Sequence, residues 1–276
     1  MTAAEIIRAG RADLSGTEEG ISHAGILFEH VFGKKYFEIP DGYPLPESKA
    51  VEYFDLIRRR AAGEPLQYIL GCWSFMGNDF TVGPGVLIPR SDTECTVRKA
   101  LEVLSGVSEP VVFDLCAGSG CIGLTIADVR PDAKVIGIEK SIQAFHYLQI
   151  NCEALGSGAA LVNEDIFEFD FKPYAGKIDM VICNPPYVTE GEYAGLQKEL
   201  YYEPKEALVG PEKGLYFYRR ICSEFFEYLK PGGAVVLEIG SSQAADIRVF
   251  LEKASFRNIE VSQDMNGLDR VISGTR

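Results

Sequence analysis

The chain contains no Cys-x-x-Cys pair, and its three histidines, His23, His30 and His146, lie far apart. The close ligand spacing of zinc sites is missing, so no metal is expected. Its seven cysteines, Cys72, Cys95, Cys116, Cys121, Cys152, Cys183 and Cys222, are odd in number and sit in mostly apolar contexts. That usage fits reduced thiols in a cytoplasmic protein rather than a disulfide framework. No apolar run reaches the length that a membrane-spanning helix needs. Met1-Thr2-Ala3-Ala4-Glu5 has neither a basic flank nor an apolar core, so no secretory leader is expected. Positive charge is also scarce: 27 Lys and Arg stand against 40 Asp and Glu, a net charge of -13. Such a surface repels a phosphate backbone, which disfavours broad nucleic-acid binding. The one compact basic run, Arg58-Arg59-Arg60, is expected as a solvated helix end, where cations are favoured.

What is present is a chain that can build a large core, since 46% of its 276 residues are hydrophobic. Residues 1–65 read as a small helical domain. Helices are expected around Ile6–Leu14, Ile21–Phe32 and Glu47–Ala62, the last with Val51, Phe54, Ile57 and Ala61 as its buried stripe. Residues 66–90 switch to short β-type runs, Tyr68–Leu70, Trp73–Phe75 and Phe80–Val82, split by glycines. They read as a β-hairpin linker. Residues 91–276 form a second domain. A helix is expected from Asp92 to Leu104, and from Pro110 strand and helix alternate. Strands are expected at 111–115, 134–139, 159–162, 178–183 and 234–239, with helices at 122–128, 142–155 and 214–229. That alternation predicts an α/β fold with a doubly wound, mostly parallel sheet.

Three motifs fall at strand ends in this scheme. Asp114-Leu115-Cys116-Ala117-Gly118-Ser119-Gly120 ends the first strand and opens a helix, a place where backbone amides can approach an anionic or polar ligand. Gly118, Gly120 and Gly123 also satisfy Gly-x-Gly-x-x-Gly, so a dinucleotide dehydrogenase has to be weighed. Glu139 ends the second strand, where a carboxylate can accept both hydroxyls of a ribose. Asn184-Pro185-Pro186-Tyr187 ends the apolar run Met180–Cys183. Its prolines fix φ and hold the Asn side chain and neighbouring carbonyls in one arrangement.

Asp114 before the glycines suits a ligand carrying a cationic group, such as the ammonium of S-adenosylmethionine. A dehydrogenase has no use for the Asn-Pro-Pro-Tyr turn. The Asn184 side-chain oxygen and the Pro185 carbonyl can each accept one N–H of a planar NH₂ group. Pulled out of the plane, those hydrogens would return lone-pair character to an amide nitrogen and aim it at a methyl donor. Tyr187 offers a face on which the planar group could stack.

With these residues in place, the chain resembles the class I S-adenosylmethionine methyltransferases that modify planar NH₂ groups. Within them it resembles the release factor glutamine methyltransferases (the PrmC/HemK family). The resemblance rests on Gly63 to Gly71, Phe75, Val86-Leu87-Ile88-Pro89-Arg90 and Thr93-Glu94. It continues through Asn184 to Tyr187, Tyr202-Glu203-Pro204, Gly214-Leu215, Leu229 to Gly233, Leu237-Glu238-Ile239-Gly240 with Gln243, and Asp269-Arg270.

The resemblance implies a Rossmann-like catalytic domain behind a helical domain that docks the substrate. It implies methyl transfer to the Gln of the Gly-Gly-Gln motif in class I peptide chain release factors, by a cytoplasmic enzyme, here expected as a monomer. By position it implies that Cys116, Ala117, Gly118, Ser119 and Gly120, with Asp114, line the methionine end of S-adenosylmethionine. Glu139 would take the ribose and Asp165-Ile166 flank the adenine. Asn184, Pro185, Pro186 and Tyr187 would bind the target Gln, Asn184 also touching the cofactor, and Phe75 would wall the pocket. Arg90 and Glu94 would order the linker. Cys116 replaces a usual glycine, Glu139 a usual Asp, Cys72 a usual acidic residue, and Ser91-Asp92 a usual Pro-Glu pair.

The sister activity on a ribosomal protein glutamine and adenine N6 methylation of nucleic acid are the alternatives, beside a non-catalytic adaptor. Residues 1–70 carry 8 Lys and Arg against 11 Asp and Glu, so the added domain is no basic groove for a flipped base.

Overall fold

The computed structural model describes residues 1–17 and 19–276. The chain divides into two compact units, Met1–Cys72 with Gln197–Tyr202, and Trp73–Leu196 with Glu203–Arg276. The stretch 66–90 is thus shared between them.

The first unit holds α1 (Ala3–Asp13), α2 (Gly20–Phe32), α3 (Glu47–Ala61) and α4 (Leu66–Leu70). A capping box starts α1: the Thr2 hydroxyl accepts from the Glu5 amide, and the Glu5 carboxylate accepts from the Thr2 amide. The core is Ile6, Ile7, Leu14, Ala24, Leu27, Phe28, Tyr53 and Ile57. The buried stripe of α3 is Ala50, Tyr53, Leu56, Ile57 and Arg60, one position away from the expected one, and Val51 is 62% exposed. Tyr53 decides the phase. Its ring packs edge-on against Phe28 while its hydroxyl donates to the Ala24 carbonyl at 3.2 Å.

Arg60 is likewise not solvated. It is 4% exposed and donates to His23 Nδ1, the Glu64 carbonyl and Glu199. A buried guanidinium needs such partners, and Glu199 arrives from 139 residues away, which no local pattern shows. The run Tyr68–Leu70 is helical rather than extended. Pro65 precedes its first turn and Gly71, at φ +75°, closes it.

The second unit opens at Trp73, within a hairpin of β1 (Cys72–Phe75) and β2 (Asn78–Thr81) turned at Met76 and Gly77, both with positive φ. Then come α5 (Glu94–Val103), β3 (Val111–Leu115), α6 (Cys121–Val129), β4 (Lys134–Ile138), α7 (Ile142–Ala154), β5 (Ala160–Val162) and β6 (Ile178–Cys183). After the short helical turns Glu190–Tyr193 and Lys205–Leu208 follow helix Tyr216–Glu224, β7 (Leu229–Glu238), helix Ala244–Lys253, β8 (Arg257–Gln263) and β9 (Asp269–Thr275). The helix expected over 214–229 is the shorter Tyr216–Glu224.

The sheet order is β5-β4-β3-β6-β7-β9-β8. Pairs up to β6–β7 are parallel, and β9 runs antiparallel to β7 and β8. Strand β6 reads Ile-Asp-Met-Val-Ile-Cys because helices cover both faces of a parallel sheet. Order reverses between β3 and β6, and Leu115 pairs with Cys183 there. The carboxyl ends of these neighbours therefore open into the crevice where doubly wound sheets hold ligands. Among the described residues no helix is long and apolar enough to cross a membrane.

Candidate active site

A cavity of about 810 Å³ lies at the carboxyl edge of β3, β4, β5 and β6. Of the residues singled out from sequence, Cys116, Ala117, Gly118, Ser119, Glu139, Asp165, Ile166, Asn184 and Pro186 line it. Four strand ends, spread over 70 residues of sequence, thus converge on one chamber.

Glu139 lies deepest in function. Its Oε2 accepts from the Gly118 amide at 2.8 Å and its Oε1 from the Ser141 amide at 2.7 Å. Burial raises its pKa, against the lowering pull of these amides. The carboxylate thus ties the loop after β3 to the start of α7, and its acceptor oxygens remain at the cavity wall. Asp165 pairs with Lys140 at 2.8 Å and accepts from the Phe167 amide. Burial opposes its charge, yet the Lys140 pair and this amide carry its pKa below the ordinary value. Cys116 takes φ +58°, a left-handed conformation that glycine adopts without penalty.

Five expected residues stand outside the lining. Asp114 is 1% exposed and does not reach the chamber. It faces α6, where its Oδ2 accepts from the Gly123 amide at 2.8 Å and its Oδ1 meets no partner. A Cβ on Gly123 would sit 2.7 Å from that carboxylate, so the last glycine of the pattern lets α6 lie on Asp114. Burial first, then the charge of Glu139, pushes the Asp114 pKa to about 7. Asp114, expected beside a ligand ammonium, thus packs against α6 and stands outside the cavity lining.

Gly120 caps α6 under the loop. Phe75, expected as a pocket wall, is 2% exposed and packs edge-on against Phe80 in the core. Pro185 is buried. Tyr187 turns from the cavity toward Gly240 and bonds Arg270, and burial raises its hydroxyl pKa to about 12. It does not offer the stacking face expected of it.

The turn 184–187 is held through its backbone. A Cβ on Gly210 would lie 2.2 Å from the Pro186 oxygen, and one on Gly214 2.0 Å from the Tyr187 oxygen. The Tyr187 carbonyl also accepts from Gln243 Nε2 at 3.1 Å. The Val188 carbonyl accepts from Gly210 and the Val188 amide donates to Leu208. The Pro186 and Tyr187 carbonyls are thus closely packed from outside, and of the turn's residues Asn184 and Pro186 line the cavity.

Sequence reasoning did not assign the remaining walls to the cavity. The segment Leu87–Arg90 forms one, held by Glu203, which accepts from the Ile88 amide at 2.9 Å and pairs with Arg90. Phe167, Tyr216 and Arg220 form another, with the guanidinium 3.7 Å from the Phe167 ring centre. The Val86–Arg90 and Tyr202–Pro204 motifs were the visible signals for the first wall, and no motif marked the second. Arg90 does order its segment, while Glu94 pairs with Arg98. Among the described residues no group of His, Cys, Asp and Glu is arranged to hold a metal.

The model of the PrmC N-terminal domain matches residues 5–71, and that of the Methyltransferase small domain matches residues 98–217. The chain is 40% identical over 233 residues to "Release factor glutamine methyltransferase" of Geobacter sulfurreducens, covering 84% of this chain and 80% of that one. It is 34% identical over 281 residues to the protein of that name from Burkholderia pseudomallei, covering 99% and 95%. Among solved structures, a human Mettl16 catalytic domain in complex with an RNA hairpin superposes with a TM-score of 0.59 at 14% identity, covering 83% of this chain and 81% of that one. That likeness shows the fold alone.

Proposed function

The chain belongs to the release factor glutamine methyltransferases, and from that premise we propose that it methylates the side-chain amide nitrogen of the Gln in the Gly-Gly-Gln motif of class I peptide chain release factors. S-adenosylmethionine supplies the methyl group, on a sulfonium, when bound. The cavity suits it in three respects. It is large enough for a nucleoside joined to an amino acid, the Glu139 carboxylate stands in its wall where a ribose would be held, and the Cys116 to Ser119 loop forms part of its lining. In this reading Glu139 holds the ribose, Asp165 and Ile166 flank the adenine, and Cys116 to Ser119 lie along the methionine end.

The observation that carries the proposal is the state of the turn after β6. Gly210 and Gly214 pack closely against the Pro186 and Tyr187 carbonyls, and Gln243 donates to the second. Asn184 and the Pro185 carbonyl then form a pair of fixed acceptors for the two hydrogens of one planar NH₂ group. Held by both hydrogens, the substrate nitrogen has its lone pair directed into the cavity. No base has to be supplied by the chain, because the N-methylated amide gives up its extra proton readily. Tyr187 supports the turn from behind.

The proposal carries further parts. The first unit docks the release factor. The enzyme acts as a cytoplasmic monomer on protein rather than nucleic acid or membrane. A net charge of -13 and seven free thiols support this reading.

The test incubates the purified chain with S-adenosylmethionine and a class I release factor, then locates any methyl by peptide mass spectrometry. One methyl on the Gly-Gly-Gln glutamine, absent from that factor's Gln→Ala variant and reduced by about a hundredfold or more in Asn184→Ala, supports the proposal. A methyl on another protein's glutamine or on adenine, with none on the release factor, would sink it.

A further inference from the structure

Gln243 was part of the sequence pattern, yet neither cofactor nor substrate binding uses it. It is 8% exposed. Its Oε1 accepts from the Gly240 amide at 2.9 Å, and its Nε2 donates to the Tyr187 carbonyl at 3.1 Å. Gly240 lies just past the last sheet pair of β7, and Tyr187 is the last residue of the turn past β6. One amide side chain therefore fastens the two strand ends beyond the point where the sheet stops holding them.

Two further observations show that the surroundings are shaped around this clasp. Glu212, Lys213 and Gly214 run consecutively at φ +54°, +57° and +78°. The first two carry side chains, so this left-handed turn costs about 1–2 kcal/mol at each. Strained backbone persists where neighbouring structure over-determines it, and such strain gathers at functional sites. The turn brings Gly214 against both partners of the clasp. A Cβ there would lie 2.0 Å from the Tyr187 oxygen and 2.8 Å from Gln243 Nε2.

We propose that Gln243 is a positioning residue for methyl transfer, acting through the Tyr187 peptide to hold Asn184 and the Pro185 carbonyl in their accepting geometry. The inference rests on the function proposed above. Without the clasp, the Tyr187 carbonyl and the Gly240 amide lose their buried partner and the peptide rotates to find others. Displacement of an acceptor by about 1 Å is enough to cost about a hundredfold in rate. Most groups assigned to the cofactor sit on the loops after β3, β4 and β5, outside this clasp, and Asn184 is the one residue shared between the two tasks.

Gln243→Ala removes both bonds. Gln243→Glu keeps an acceptor for Gly240 and sets a carboxylate oxygen against the Tyr187 carbonyl, so it tests that half alone. Titration calorimetry with S-adenosylmethionine gives affinity and the number of competent sites, and kcat is normalised to those sites. Both variants are expected to bind S-adenosylmethionine with unchanged stoichiometry and affinity within about threefold of the parent, and to lose about ten- to a hundredfold in kcat. Either variant keeping kcat within about twofold of the parent overturns the proposal. So does loss of cofactor sites in step with activity, with normal kcat per remaining site, because the role is then only structural. If the parent chain places no methyl on the release factor, the proposed function itself fails and takes this inference with it. Transfer by the parent and by both variants alike sinks this inference alone.

Discussion

Two turns leave neighbouring strands at the same sheet edge, and they differ in how tightly their backbone is packed. The loop after β3 is held by a side chain, since the Glu139 carboxylate accepts from Gly118 and Ser141. A Cβ on Gly118 would meet nothing nearer than the Cys116 oxygen at 4.0 Å. The turn after β6 is packed backbone against backbone, with no room for a Cβ on Gly210 or Gly214, and the Gln243 amide clasps its last carbonyl from outside the cavity. The difference matches the proposed tasks. A cofactor must enter and leave, so its side presents polar groups that can exchange partners. A target amide must be aimed, so its side is over-determined.

Changes at the second turn should therefore break turnover, and changes at the first should break binding. Gly214→Ala should have the largest effect in this comparison. It drives a methyl group into the Tyr187 carbonyl and imposes φ +78° on alanine. We expect kcat to fall about a hundredfold and stability by about 2 kcal/mol, read by kinetics and by urea denaturation. Glu139→Gln should leave kcat nearly unchanged at saturating cofactor. Its loss of charged hydrogen bonds should weaken S-adenosylmethionine by about 2 kcal/mol, read by calorimetry.

The next effect separates a buried acid from a binding one. Burial holds Asp114 at about 7 against an ordinary 3.8. The folded chain keeps a proton that the unfolded chain loses across this window. The stability from that proton is full below about pH 4 and lost as pH rises through about 7. Glu238, held at about 7 against 4.5 by burial, slopes the same way. Asp114→Asn should make the decline across this window shallower, by at most about 1.4 kcal/mol per pH unit, in melts taken at several pH values. Cys116→Gly should matter least. Relief of φ +58° should stabilise the chain by about 1 kcal/mol or less, with S-adenosylmethionine affinity maintained.

Strand ends were legible in the sequence because apolar runs of the β6 kind stop at punctuating residues. The expected 111–115 and 178–183 coincide with β3 and β6. Cys116 to Ser119, Glu139 and Asn184 reached the cavity for the same reason, since loops at one sheet edge share one crevice. Side-chain direction was not legible. Asp114 and Tyr187 lie within the right motifs and face α6 and Gly240 instead. Their partners, Gly123 and Arg270, depend on how helix and sheet pack. The phase of α3 failed likewise, because Tyr53 and Arg60 are buried through partners distant in sequence. The wall supplied by Glu203 with Ile88 and Arg90 joins segments over 110 residues apart, beyond any local pattern.

The most direct test sets Glu139→Gln beside Asn184→Ala, each measured for S-adenosylmethionine Kd and for kcat on the release factor. The account predicts a double dissociation. Glu139→Gln should weaken binding by about ten- to a hundredfold with kcat within about threefold of the parent. Asn184→Ala should lose about a hundredfold or more in kcat while still binding the cofactor. If both variants lose affinity and turnover in the same proportion, the two turns do not divide the work and the account is wrong.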